Sequence, residues 1–238
     1  MAFATASRTS QLFTTAATSY TVTLPAVNSG DLILLFANVL FGKAVAPSGY
    51  TEITNESQNR TRNTLFAKLA DGTETNAVIT NTSSSVGIAI VYVVSGWGGT
   101  VGTDIDSVAS NGGGSETSSM GVTAGWGADD NLVLSFVGAG DDSQTFTEFP
   151  SGFSNTFQAQ TDTGQNASVE VASCENEVTT ATATISGYTI ESIESYGQIA
   201  LIIKPGSSGG GATGPNTPVN PSITNLLATS ARLNWEQG

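Results

Sequence analysis

Two tryptophans and three pairs of aspartates are the residues of this chain whose types and spacing could do chemistry. Trp97 sits in "SGWGG" and Trp126 in "AGWGA". Glycine on both sides leaves an indole uncovered by its own neighbours, and an open aromatic face can stack on a sugar ring. The same phrases also suit rings that plug an end of a core or pack on a neighbouring subunit. Asp104 and Asp106, Asp129 and Asp130, and Asp141 and Asp142 place carboxylates close together in loop-like stretches. Calcium takes carboxylate and carbonyl oxygens converging from loops, so Asp104, Asp106, Asp129 and Asp130 are candidate ligands. The EF-hand spacing is missing, and the alternative is a set of solvated loop carboxylates.

Catalysis has less to work with. The chain has no histidine, which removes Ser-His-Asp and Cys-His nucleophiles and histidine-ligated zinc. Cys174 is the one cysteine and reads as a small half-buried apolar residue of a strand. Glu52, Glu148 and Glu170 are available as carboxylates, but nothing near them in sequence raises a pKa or positions a nucleophile. "NGGGSETSS" lacks the lysine of a phosphate loop and reads as a flexible connector. The expectation is a protein that is not an enzyme and holds no cofactor other than calcium.

The elements that must position these residues follow from composition. Of 238 residues, 27 are glycine and only 11% are charged, a profile of short strands and tight turns rather than long helices. The net charge of −13 repels phosphate backbones and anionic lipid surfaces, so neither nucleic acid nor membrane is an expected partner. "DLILLFANVLFG", the longest apolar run, is too short to span a bilayer and carries Asp31 and Asn38. "MAFATASRTSQLFTT" shows no charged start followed by an apolar run, so no cleaved leader is expected.

One hundred residues after "TVTLPAVNSGDLILLF" the chain reads "GVTAGWGADDNLVLSF", matching Val22 to Val122, Leu32 to Leu132 and Phe36 to Phe136. "APSGYTEI" then matches "FPSGFSNT" at an offset of 103, and "TLFAKLADGTETNAVIT" matches "SVEVASCENEVTTATATIS" at 104. "VGIAIVYVVSG" matches "YGQIALIIKPG" at 110, Gly87 meeting Gly197. Four matches in one order, with length changes between strands, predict two related halves at about 19–97 and 119–206. Two such units packed face to face predict an all-β, jelly-roll-like antiparallel sandwich of eight to ten strands.

After the β domain (1–206), residues 207–220 form a Gly/Ser/Pro-rich linker. Residues 221–238, "PSITNLLATSARLNWEQG", resemble the opening strands of a fibronectin type III domain through Pro221, Ile223, Leu226 and Trp235. The natural chain is expected to continue past Gly238. The order "GDLILLF … PSGYTEI … LFAKLADGTE … VYVVSGWGGT … DIDSVAS" resembles a β-sandwich module of tailed-bacteriophage structural proteins, which also occurs in bacterial surface proteins. It departs from that family where Ser95, Gly96 and Trp97 replace an aromatic-Arg-Gly phrase. The resemblance implies a virion surface role: a capsid decoration, head-fibre or tail-fibre protein, assembled in the host cytoplasm and released by lysis. Its partners would be capsid or tail proteins and further copies of itself, with cell-surface glycans as possible ligands. The alternative is a carbohydrate-binding module of a bacterial surface or secreted protein, using Trp97 and Trp126.

Overall fold

The structure, a computed structural model, describes residues 6–97, 99–141, 145–163 and 167–206. The linker, the fibronectin-like segment and Asp142 lie outside the described residues, as does the side chain of Asp141. The described residues form an all-β, antiparallel, sandwich-like fold.

The first half supplies β1 (Ser7–Thr23), β2 (Leu32–Val39), β3 (Ala44–Val45), β4 (Thr51–Gln58), β5 (Thr61–Leu69) and β6 (Asn76–Val94). They make one sheet in the order β1-β6-β2-β5-β4, with β3 beside β6. The second half supplies β7 (Ile105–Glu116), β8 (Met120–Thr123), β9 (Asn131–Asp141), β10 (Phe146–Glu148), β11 (Ser154–Gln160), β12 (Ser168–Val178), β13 (Thr182–Ile185) and β14 (Thr189–Ile203). Its sheet runs β10-β14-β9-β12-β11 with β7 also on β14, and β8 pairs with β13. Fourteen strands replace the expected eight to ten because the short strands β3 and β10 add to each half and the second half breaks at its bends. Each half keeps to its own sheet, and the two sheets face each other.

The duplication is visible in the pairing. β1 and β6 each bend, their register shifting between Phe13 and Ser19, and continue as an outer ribbon that pairs Val22 with Ala77. In the second half the same path is interrupted, and the ribbon becomes β8 and β13, pairing Val122 with Ala183. The two "PSG" turns are equivalent: Tyr50 donates its N–H to Pro47 and Phe153 to Pro150, with Gly49 and Gly152 at φ of 81° and 84°. Positive φ costs glycine nothing, which is why the turns retain it.

Two matches made from sequence are corrected by the ladders. Leu34 pairs with Ala67 as Leu134 pairs with Glu175, so β5 and β12 are displaced by 108 residues (67 to 175), not 104. The extra residues lie in the longer turn from Gln160 to Ser168. A slip by an even number preserves which side chains face inward, so hydrophobic alternation cannot detect it. Leu32 pairs with Val94 as Leu132 pairs with Ile203, so the last strand is displaced by 109 (94 to 203), not 110. Here the glycines misled: Gly197 occupies the place of Ile88, not Gly87.

β2 is buried at every residue. Leu32, Leu34 and Phe36 point into the central core with Leu132, Leu134 and Phe136, while Ile33, Leu35 and Val39 face Tyr20, Val22 and Ile79 of the outer ribbon. On the other side, Met120, Val122, Ala183 and Ile185 cover Val133, Ala200 and Ile202. Phe36 and Phe136, equivalent residues of the two halves, stack at 5.1 Å, and Tyr92 meets Phe136 edge-on. Such pairs add about 0.5–1.5 kcal/mol beyond their burial.

Beside this stack the halves differ. Asn38 donates from Nδ2 to the carbonyls of Ala139 and Glu170, and Asn63 to those of Gly138 and Gly197, at 3.1–3.2 Å. The amides fit because Gly138 and Gly197 have no side chain: a Cβ on Gly138 would lie 2.0 Å from Asn38 Nδ2 and Asn63 Oδ1. Gly138→Ala is therefore expected to lower stability by about 2–3 kcal/mol. Gly121→Ala, with nothing within 4 Å, should stay within about 0.5 kcal/mol of wild type. Urea denaturation of the two variants checks this.

Candidate functional site

The antiparallel ladders deliver both tryptophan phrases and four aspartates to one end of the sandwich. β2 begins opposite the end of β6, β9 begins opposite the end of β14, and β14 ends opposite the start of β7. The segments around Trp97, Asp104, Asp106 and Trp126 all leave their sheets there.

Trp97 is 1% exposed and belongs to the central core. Its Nε1 donates to the Lys204 carbonyl at 3.1 Å. A Cβ on Gly99 would lie 2.6 Å from the indole, and one on Gly206 would lie 2.1 Å from the Trp97 carbonyl. Gly99 thus lets the chain lie close against the indole, and the buried ring corrects the expectation of an uncovered face at Trp97. Trp126 is half-buried against the β8–β13 ribbon, and its Nε1 donates to Asn131 Oδ1 at 2.8 Å. Asn131 passes this on to the Thr180 carbonyl. Its equivalent, Asp31, is 3% exposed and accepts from Gly96 N and Asn28 N at 2.9 and 2.8 Å. These two residues at the heads of β2 and β9 hold the turns that carry the tryptophans.

The aspartates are engaged singly. Asp104 accepts from Thr100 N at 2.8 Å and lies 3.5 Å from Lys204 Nζ. Asp106 accepts from Gly125 N at 2.6 Å, tying the start of β7 to the turn of Trp126. Asp129 accepts from Asp130 N. Among the described residues no three Asp, Glu or Cys side chains gather closely enough to hold a metal ion. Asp104, Asp106, Asp129 and Asp130 reach one end of the fold, where Asp104, Asp106 and Asp129 each accept from a backbone N–H of a turn.

Glu74, on the loop after β5, belongs to the same end. It binds Lys68 Nζ at 2.7 Å and accepts from Asp71 N and Gly72 N at 3.0 Å. Burial alone would raise its pKa, but the Lys68 ammonium and the backbone donors outweigh burial and bring it down to about 2. Lys68, Gly49, Thr51, Gly99 and Thr100 line a shallow cleft of about 380 Å³ beside it.

The remaining carboxylates are dispersed over β4, β10 and β12. Glu52 accepts from Lys43 Nζ at 2.8 Å and Asn55 Nδ2 at 2.6 Å, Glu148 accepts from Thr189 at 3.2 Å, and Glu170 is buried in β12. Cys174 is buried with Sγ 3.1 Å from Tyr188 Oη. Burial pushes its thiol up to about 12, which leaves no reactive thiolate at neutral pH. A feature that sequence reasoning missed is a cleft of about 370 Å³ at the opposite end, among Glu116, Ser119, Glu148, Phe149, Ser186 and Thr189. No single run of sequence announces it, because its walls come from three separate segments.

No protein family, no curated protein and no solved structure matches this chain.

Two outcomes are expected. Trp97→Ala should cost about 3–5 kcal/mol in chemical denaturation, and Trp126→Ala about 1–2 kcal/mol, since its ring is half-buried. Because the folded pKa of Glu74 lies below the ordinary 4.5, its stabilisation is complete above that value and is lost as pH falls toward about 2. The stability difference between wild type and Glu74→Gln, followed by urea denaturation, should shrink over that window.

Proposed function

We propose that this chain is a non-enzymatic structural protein of a bacteriophage particle: a capsid decoration, head-fibre or tail-fibre component. The sandwich anchors to the particle, and the segment beyond the linker, which resembles the start of a fibronectin type III domain, is carried outward. The observation that carries this reading is how the groups with chemical potential are used. The Trp97 indole closes the core, Asp31, Asp104 and Asp106 hold turns, and Cys174 is sealed beneath Tyr188. What remains for function is surface, which suits a protein that works by contact. The order of strand and turn motifs, with its likeness to phage structural modules, supplies the kind of assembly. Both open sides of the sandwich are also closed within the chain. Arg8 of β1 donates to the carbonyls of Asn155 and Thr156 of β11 and lies over Phe157, and Asn111 of β7 donates to Glu56 of β4.

A second reading, a carbohydrate-binding module, draws support from Trp126 alone, whose ring remains partly open. The two readings separate in one preparation. Mass spectrometry of density-purified particles, quantified against the major capsid protein, is expected to find this chain at a fixed ratio to capsid or tail proteins. Its absence from particles, together with polysaccharide binding that Trp126→Ala abolishes, would replace the first reading with the second.

A further inference from the structure

The net charge of the chain resides in the second of its two halves. Residues 1–97 contain five basic and five acidic side chains, whereas residues 98–206 contain fourteen acidic side chains and one basic, Lys204. The first half adopts the same strand order with no net charge, so the excess is not a requirement of the architecture. Acidity for solubility alone would be spread over both. In the first half, Lys43 pairs with Glu52 and Lys68 with Glu74. In the second, Lys204 lies at the tryptophan end, beside Asp104.

The opposite end of the second sheet holds the cleft of about 370 Å³. Thr189 pairs with Glu116 of β7 on one side and with Glu148 of β10 on the other. Residues directly opposite one another share a face, so the two glutamates flank Thr189 with Cα atoms about two strand spacings, ~10 Å, apart. Ser119, Ser151 and Ser186 add hydroxyls and Phe149 an apolar wall. Glu116, Glu148 and Ser119 are exposed. Arg60 and Arg62, on the β4–β5 hairpin, do not line the cleft.

We infer that this cleft is the docking site for a basic segment of a partner protein, with Glu116 and Glu148 receiving lysine or arginine side chains on either side of Thr189. A carboxylate accepts from an ammonium or guanidinium by charge-assisted hydrogen bonds, and the hydroxyls take the donors that remain. The surplus charge of the second half draws such a segment in from a distance and disfavours an acidic one. The inference concerns the partner's chemistry and stands or falls apart from the particle reading.

The test is NMR titration of the isotopically labelled full chain with a hexalysine peptide, at low salt and at about 0.15 M. Shifts are expected to concentrate at Glu116–Ser119, Glu148–Ser151 and Ser186–Thr189. The double variant E116Q/E148Q should bind at least about fivefold more weakly, and D129N, at the other end of the same half, should bind as wild type. Both glutamates are exposed, so an unchanged spectrum of the free variant verifies the fold. Shifts spread evenly over the acidic surface, equal losses in D129N and E116Q/E148Q, or no binding at low salt would each overturn the inference. So would tighter binding of a glucosamine oligomer than of the peptide, which would make the ligand a sugar.

Discussion

The central strand of each half is apolar on both faces, and a strand of that kind must be covered twice. Every residue of Leu32–Val39 is buried, and all but Asn38 are apolar. One face finds its cover in the other half, through Phe36 on Phe136 and the leucines around them. The other is covered by the chain's own continuation, the ribbon of Tyr20, Val22 and Ile79, with Met120, Val122 and Ile185 as its counterpart. The bends in β1 and β6, and the breaks between β7 and β8 and between β13 and β14, follow from that need. So does the gathering of the turns at the tryptophan end, where the heads of β2 and β9 must be fastened by Asp31 and Asn131.

Much of this was legible in the residues. "LILLFANV" and "NLVLSF" announce doubly buried strands, the "PSG" turns announce their own hydrogen bonds, and the duplicated order announces two halves. What was not legible depends on distant partners. The register of β12 slipped by an even number because alternation repeats every two residues, and Gly197 attracted a false match because its smallness answers to Asn63 in the other sheet. Trp97 was read as open because its neighbours are glycines. The Lys204 carbonyl, more than a hundred residues away, takes its Nε1 proton, and the ring is buried in the core. A local phrase describes what a side chain's neighbours permit and is silent on what arrives from elsewhere in the chain.

The aspartates teach the same lesson in another form. Spaced in pairs, they suggested a common ion, yet Asp104, Asp106 and Asp129 each answer a backbone N–H close to them in space. A carboxylate that satisfies an orphaned donor at a turn stabilises that turn whether or not a cation is present. The acidic excess of the second half acquires meaning only because each half makes a separate sheet. Distributed through interleaved strands, the same fourteen residues would give no side of the molecule a character of its own.

The exchange of Asn38 in the first half for its equivalent Gly138 in the second reaches further than the hydrogen bonds it makes. Asn38 and Asn63 fill space that Gly138 and Gly197 vacate. Two copies of the first half, set face to face, would bring amide against amide where there is room for one set. The duplicated units have become a lock and its key, and the first can no longer serve as its own mate.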